Sequence, residues 1–117
     1  MVPLIDVTYD GSVPERVLRE LAEVLPAIVG EAVDCSEEPW VGPPAAGDIE
    51  IRFHKKGSFD VGELSCVIEV RTRAYPSRTA DSERRAQLIR DRVLAATAVG
   101  SLGVWLVLAA GSWSQAG

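Results

Sequence analysis

Apolar and polar residues alternate at the start of the chain. In PLIDVTY, residues 3–9, Ile5, Val7 and Tyr9 fall on one side and Leu4, Asp6 and Thr8 on the other, which is the period of a strand. Asp10-Gly11-Ser12 ends it. Ser12 and Glu15 have capping-box spacing and Pro14 suits a first turn, so a helix is predicted to start here. Val17, Leu18, Leu21, Val24, Leu25 and Ile28 form its apolar stripe. Pro26 has no N–H for the carbonyl four residues back and crowds it, which predicts a kink or an end near Leu25, with Gly30 as a stop.

From residue 31 to 47 the periodicity dissolves into an acidic, turn-rich connector, longer than most in a compact domain. Trp40 within it either packs back on its own domain or walls a pocket. Asp48 to Lys55 reads as a second strand, with Ile49, Ile51 and Phe53 opposite Glu50, Arg52 and His54. After a glycine-containing connector, CVIEVRTRAY from Cys66 to Tyr75 is the clearest strand. Ile68, Val70, Thr72 and Ala74 fall on one face and Glu69, Arg71, Arg73 and Tyr75 on the other. Thr79, Asp81 or Ser82 can cap a second helix running to about Ala96, with Ala86, Ile89, Val93 and Ala96 as its inner stripe. Gly100 and Gly103 follow. Val104 to Ala109 is apolar on both faces, as in a strand buried on both sides.

The order is strand, helix, strand, strand, helix, strand. It predicts a single α+β domain over residues 1–117, in which two βαβ halves form one four-stranded mixed sheet with both helices on one face. The other face would carry Asp6, Thr8, Glu50, Arg52, His54, Glu69, Arg71 and Arg73, either solvated or facing copies of itself. At 117 residues, 47% hydrophobic and 25% charged, the chain has enough apolar residues for a core without staples.

A formal charge of −5 gives no general affinity for nucleic acid. An RNA-binding sheet would also need exposed aromatics on its central strands, and none stands there. Charge is uneven, however. Arg71, Arg73, Arg78, Arg84, Arg85, Arg90 and Arg92 crowd one region, and a small anion would be drawn to it. Arg71 and Arg73 present two planar donor forks on one strand face, a clamp for carboxylate or phosphate unless Glu69 occupies one of them. His54, the only histidine, lies on a polar face without companion ligands and reads as a titrating surface group. Cys35 and Cys66 match no metal or redox spacing, and no basic region followed by an apolar run opens the chain, so a reduced, cytoplasmic protein is expected. The segment after Arg92 is uncharged to residue 117, but Gly100, Ser101 and Gly103 interrupt it and no basic residue flanks its far end, which argues against a membrane span. Phosphate loop, zinc spacing, nucleophile elbow and dinucleotide fingerprint are all missing, so no cofactor or metal is expected.

A proline opening the first strand in PLIDVTY, a strand ending in VRTRAYPSR, an Arg-rich helix in RTADSERRAQLIRDRVLAA and a final apolar strand together resemble the tautomerase superfamily. That group includes 4-oxalocrotonate tautomerase, carboxymethyl-hydroxymuconate isomerase and macrophage migration inhibitory factor. The resemblance implies a homotrimer with sheets within and helices outside, acting on a small keto or enol carboxylic acid. It implies Pro3 as the catalytic base and Arg71 and Arg73 as the carboxylate holders, with Tyr75, Arg52 and His54 as further substrate-binding residues. In this sequence Val2 precedes Pro3, and a nitrogen locked in a peptide bond cannot exchange a proton, so Pro3 acts only where trimming exposes it. The alternative is a noncatalytic oligomeric module that binds an anion or assembles on the same scaffold.

Overall fold

The computed structural model describes residues 3–39, 44 and 47–117. Its elements are β1 (Leu4–Tyr9), α1 (Glu15–Val33), β2 (Glu50–Lys55), β3 (Cys66–Arg73), α2 (Pro76–Ala80), α3 (Ser82–Ala96) and β4 (Leu102–Ala109). The four strands form one sheet in the order β2-β1-β3-β4. β1 runs parallel to β2 and β3 parallel to β4, while β1 and β3 pair antiparallel. Two βαβ halves thus meet at the centre, as the element order predicts. Ile5 and Val7 of β1, Cys66, Ile68 and Val70 of β3, and Leu21, Leu25, Val29, Ile89 and Val93 of the helices form the core on one face of the sheet. The other face of the sheet is called outer below.

Four local expectations are corrected. α1 continues through Pro26 and Gly30 to Val33, because Leu21, Leu25, Val29 and Val33 recur at every fourth position and are all fully buried. Burial of that stripe outweighs the lost backbone bond at Pro26. Ser12 does not cap α1: the cap position is Pro14, and the Ser12 amide and hydroxyl both donate to the Asp10 carboxylate instead. The second helix is split at Asp81 into α2, opened by Pro76, and α3. Its core-facing positions are Arg85, Ile89 and Val93, whereas Ala86 is half-buried and Ala96 exposed.

The fourth correction concerns β4. It begins at Leu102, includes Gly103, and lies at the edge of the sheet, so it is not buried on both sides. Leu102, Val104 and Leu106 pack on the core, but on the outer face of β4 the described residues leave Trp105 67% exposed. Gly103 admits the Leu64 side chain from the preceding connector, which would stand 3.0 Å from a Cβ placed there. The expected role of Trp40 lies outside the described residues.

Candidate functional site

Strand register places the outer-face side chains in rows. Arg52, Asp6, Glu69 and Trp105 form one row across β2, β1, β3 and β4, and Glu50, Leu4, Arg71 and Val107 form the next. The predicted site residues therefore divide into two groups. Arg71 and Arg73 lie on β3, whereas Arg52 and His54 lie on the edge strand β2, on the far side of β1. His54 Nε2 is 2.9 Å from Asp6 Oδ1. Arg71 donates to Glu69 Oε1 through Nε at 3.0 Å and Nη2 at 2.8 Å, so one of the two expected clamp arginines is occupied by its own strand neighbour.

Pro3 is buried. Leu4 pairs with Arg71, so the antiparallel register carries Pro3 alongside the Thr72–Arg73 end of β3. Beyond that end the chain turns through Ala74, whose N–H still reaches the Ala109 carbonyl, to Tyr75. The Arg73 guanidinium stands 5.4 Å from the centroid of the Tyr75 ring, and the Arg78 guanidinium 5.3 Å from it. Arg73 is exposed and forms no ion pair among the described residues. Of the two predicted clamp residues, it is the one left for an anion. The Tyr75 hydroxyl donates to Glu38 Oε2 at 3.2 Å, which fixes the ring beneath that guanidinium.

The wall of this corner comes from residues that motif reading passed over. Arg78, only 1% exposed, donates from Nε to the Val33 carbonyl at 2.6 Å, from Nη1 to the Arg73 carbonyl at 3.0 Å and from Nη2 to Glu38 at 3.3 Å. Arg85 donates from Nη1 to the carbonyls of Ala32 at 2.9 Å and Asp34 at 2.7 Å, and from Nε to Asp81 at 2.5 Å. Two guanidinium groups thus satisfy carbonyls at the C-terminus of α1, where the helix dipole is negative. The spacing of Arg85 with Ile89 and Val93 is the sequence signal that marks it as core-facing. Glu37 accepts from the Ser77 hydroxyl and from its N–H at 3.2 Å, and the Ser77 hydroxyl holds the Glu37 carboxyl down to about 2. Burial pushes the Glu38 carboxyl up, but hydrogen bonding and the Arg78 charge outweigh it and its pKa is lowered. Hydrogen bonds from Arg85 and then Arg84 lower Asp81. The corner is therefore a set of ionised carboxylates, Glu38 and Asp81 tied to arginines and Glu37 to Ser77, with Arg73 at its outer rim.

Cys35 and Cys66 are free and buried, and burial pushes the Cys66 thiol up to about 11, which leaves it a poor nucleophile. Among the described residues no group of three or more His, Cys, Asp or Glu side chains is placed to hold a metal ion. No described helix is long and apolar enough to cross a membrane. The uncharged stretch after Arg92 ends α3 and forms β4.

This fold, two parallel βαβ halves joined through an antiparallel central pair, is shared with solved structures of low sequence identity. Solved structures similar to this chain include a macrophage migration inhibitory factor-like protein from Entamoeba histolytica (TM-score 0.57, 10% identity, 97% of this chain and 95% of that one). MIF2 from Leishmania major is similar with a TM-score of 0.54 at 14% identity, over 96% of this chain and 93% of that one. Malonate semialdehyde decarboxylase, a protein with decarboxylase and hydratase activities, is similar with a TM-score of 0.59 at 14% identity, over 96% of this chain and 91% of that one. No protein-family model matches the sequence, and no curated protein matches it. At these identities the likeness is one of fold.

Proposed function

We propose that the protein is a tautomerase-like enzyme acting on a small keto or enol carboxylic acid, with Pro3 as base once its nitrogen is freed and Arg73 as the main holder of the carboxylate. The observation that carries this reading is the Leu4–Arg71 pairing, which sets Pro3 beside the strand end where Arg73, stacked on Tyr75, has no carboxylate partner among the described residues. A buried secondary amine near guanidinium groups loses its proton more readily than one in water, and so acts as a base near neutral pH. It would take the proton from the carbon beside the keto group and return it elsewhere on the same enol, so that atoms and charge balance. Arg71, engaged by Glu69, serves in a supporting place. The apolar edge of β4 supports self-association, and the family resemblance of the sequence makes a homotrimer its expected form. The two free cysteines support a reducing, cytoplasmic setting.

The test compares the chain beginning at Met1 with one trimmed to begin at Pro3, each folded, using phenylpyruvate. The trimmed protein gains tautomerase activity and the longer one has little. In the trimmed protein, Arg73→Ala weakens binding of a small dicarboxylate by about 1.5 to 3 kcal/mol. A trimmed protein without activity that still binds the dicarboxylate through Arg73 leaves the noncatalytic anion-binding module as the correct reading.

A further inference from the structure

A cavity of about 450 Å³ lies at the β2 side of the outer face, under the C-terminal segment. Leu4, Glu50 and Arg52 line it from the sheet, Asp48 from just before β2, and Trp113 and Gln115 from the segment above. It is centred on β2, and its lining includes neither Pro3 nor Arg73; Leu4, which follows Pro3 and pairs with Arg71, is the residue that borders both places. Its volume is that of a site for a small organic molecule.

The charge arrangement narrows what it takes. Arg52 is in register with Asp6, the nearest carboxylate on the neighbouring strand, but His54 occupies that carboxylate at 2.9 Å. Arg52 is exposed and forms no ion pair among the described residues, so a planar cationic fork faces the cavity without a counter-charge in contact. Glu50, two residues back on the same face of β2, adds a negative group, and Asp48 adds a second to the lining. A phosphate dianion would be repelled there, whereas a monocarboxylate that also carries a hydroxyl or amino donor satisfies both Arg52 and Glu50. Trp113 and Leu4 supply one flat and one aliphatic wall. The Trp113 indole N–H is already donated to Gln115 at 3.2 Å, so the ring contributes surface more than hydrogen bonding.

We propose that this cavity binds a small aromatic carboxylic acid bearing a hydroxyl or amino group, its carboxylate on Arg52, its ring against Trp113 and its donor toward Glu50. The site does not depend on a free Pro3 nitrogen, and it stands whether or not the protein is a tautomerase.

The test uses the full chain beginning at Met1, titrated with 4-hydroxybenzoate and followed by calorimetry and by two-dimensional NMR of the indole N–H signals. Saturable binding that shifts the Trp113 signal is expected. Arg52→Ala should weaken it by roughly ten- to hundredfold, the range for a lost charge-assisted hydrogen bond, while Arg73→Ala leaves it unchanged. Arg52 is a surface side chain, so its replacement keeps the fold, which the remaining NMR spectrum verifies. 4-Hydroxybenzyl alcohol, which lacks the carboxylate, should not compete. The proposal is overturned by an absence of binding up to millimolar concentration, by Arg52→Ala binding as the parent does, or by loss of binding in Arg73→Ala, which would assign the ligand to the other site.

Discussion

Arg78 carries a full charge at 1% exposure, and its guanidinium donates to three oxygens from different parts of the chain: the Val33 carbonyl, the Arg73 carbonyl and the Glu38 carboxylate. Removing it would leave two carbonyls short of a donor and take one positive partner from Glu38. Breaking such a buried arrangement from one side typically costs 3–5 kcal/mol, and Glu38, at 27% exposure, keeps some solvation, so the lower end applies. Arg78→Met is therefore expected to lower unfolding stability by about 3 kcal/mol, measured by urea denaturation. Lysine is no substitute, because one ammonium cannot reach three acceptors spread along a planar fork. A loss below about 1 kcal/mol would show that the α1 terminus is satisfied without it.

Among the elements, β1, β2 and β3 are legible because period-two alternation survives along their length, whereas β4 shows only as an apolar run. The candidate site is legible as far as it lies on a strand: CVIEVRTRAY puts Arg71 and Arg73 on one face, with Tyr75 just beyond. The carboxylates that shape the same corner are not, since Glu37–Ser77 and Glu38–Arg78 join residues about forty apart and only the folded chain brings them together. In α1 a local rule and a long-range one conflict. Pro26 predicts a break, but the buried positions Val29, Ala32 and Val33 beyond it keep the helical stripe going. In α3 a core-facing arginine hid the stripe, because Arg85 was read as surface and the alanines beside it as core. The conflict in α1 has a measurable residue. An interior proline costs about 3 kcal/mol. Loss of its buried ring carbons and of its stiffening of the unfolded chain together take back about 2 kcal/mol when it becomes alanine. Pro26→Ala should thus raise stability by about 1 kcal/mol, seen as a higher urea midpoint with unchanged slope. A destabilised variant would mean that the ring packs too well to give up.

For the whole molecule the two edges of the sheet are unlike each other. β2 carries Glu50, Arg52, His54 and Lys55, charges and polar groups that discourage a second strand from adding, and the C-terminal segment roofs its outer face. β4, LGVWLVLA, carries no charge along eight residues, and its outer face presents Trp105, 67% exposed, beside Val107 and Ala109. A long apolar edge of this kind draws a second chain unless one is already there. Covering the exposed indole removes on the order of 150 Å² from water and contributes about 4 kcal/mol per interface, before the cost of bringing copies together. Self-association through the β4 side of the sheet is the expected consequence, and the homotrimer proposed above is its closed form. Light scattering at micromolar concentration should give three times the chain mass for the parent and one for Trp105→Lys. The lysine replaces an exposed side chain, so circular dichroism of the variant should match the parent. A monomeric parent would remove the case for assembly, and a Trp105→Lys variant that remains trimeric would move the interface to another face of the molecule.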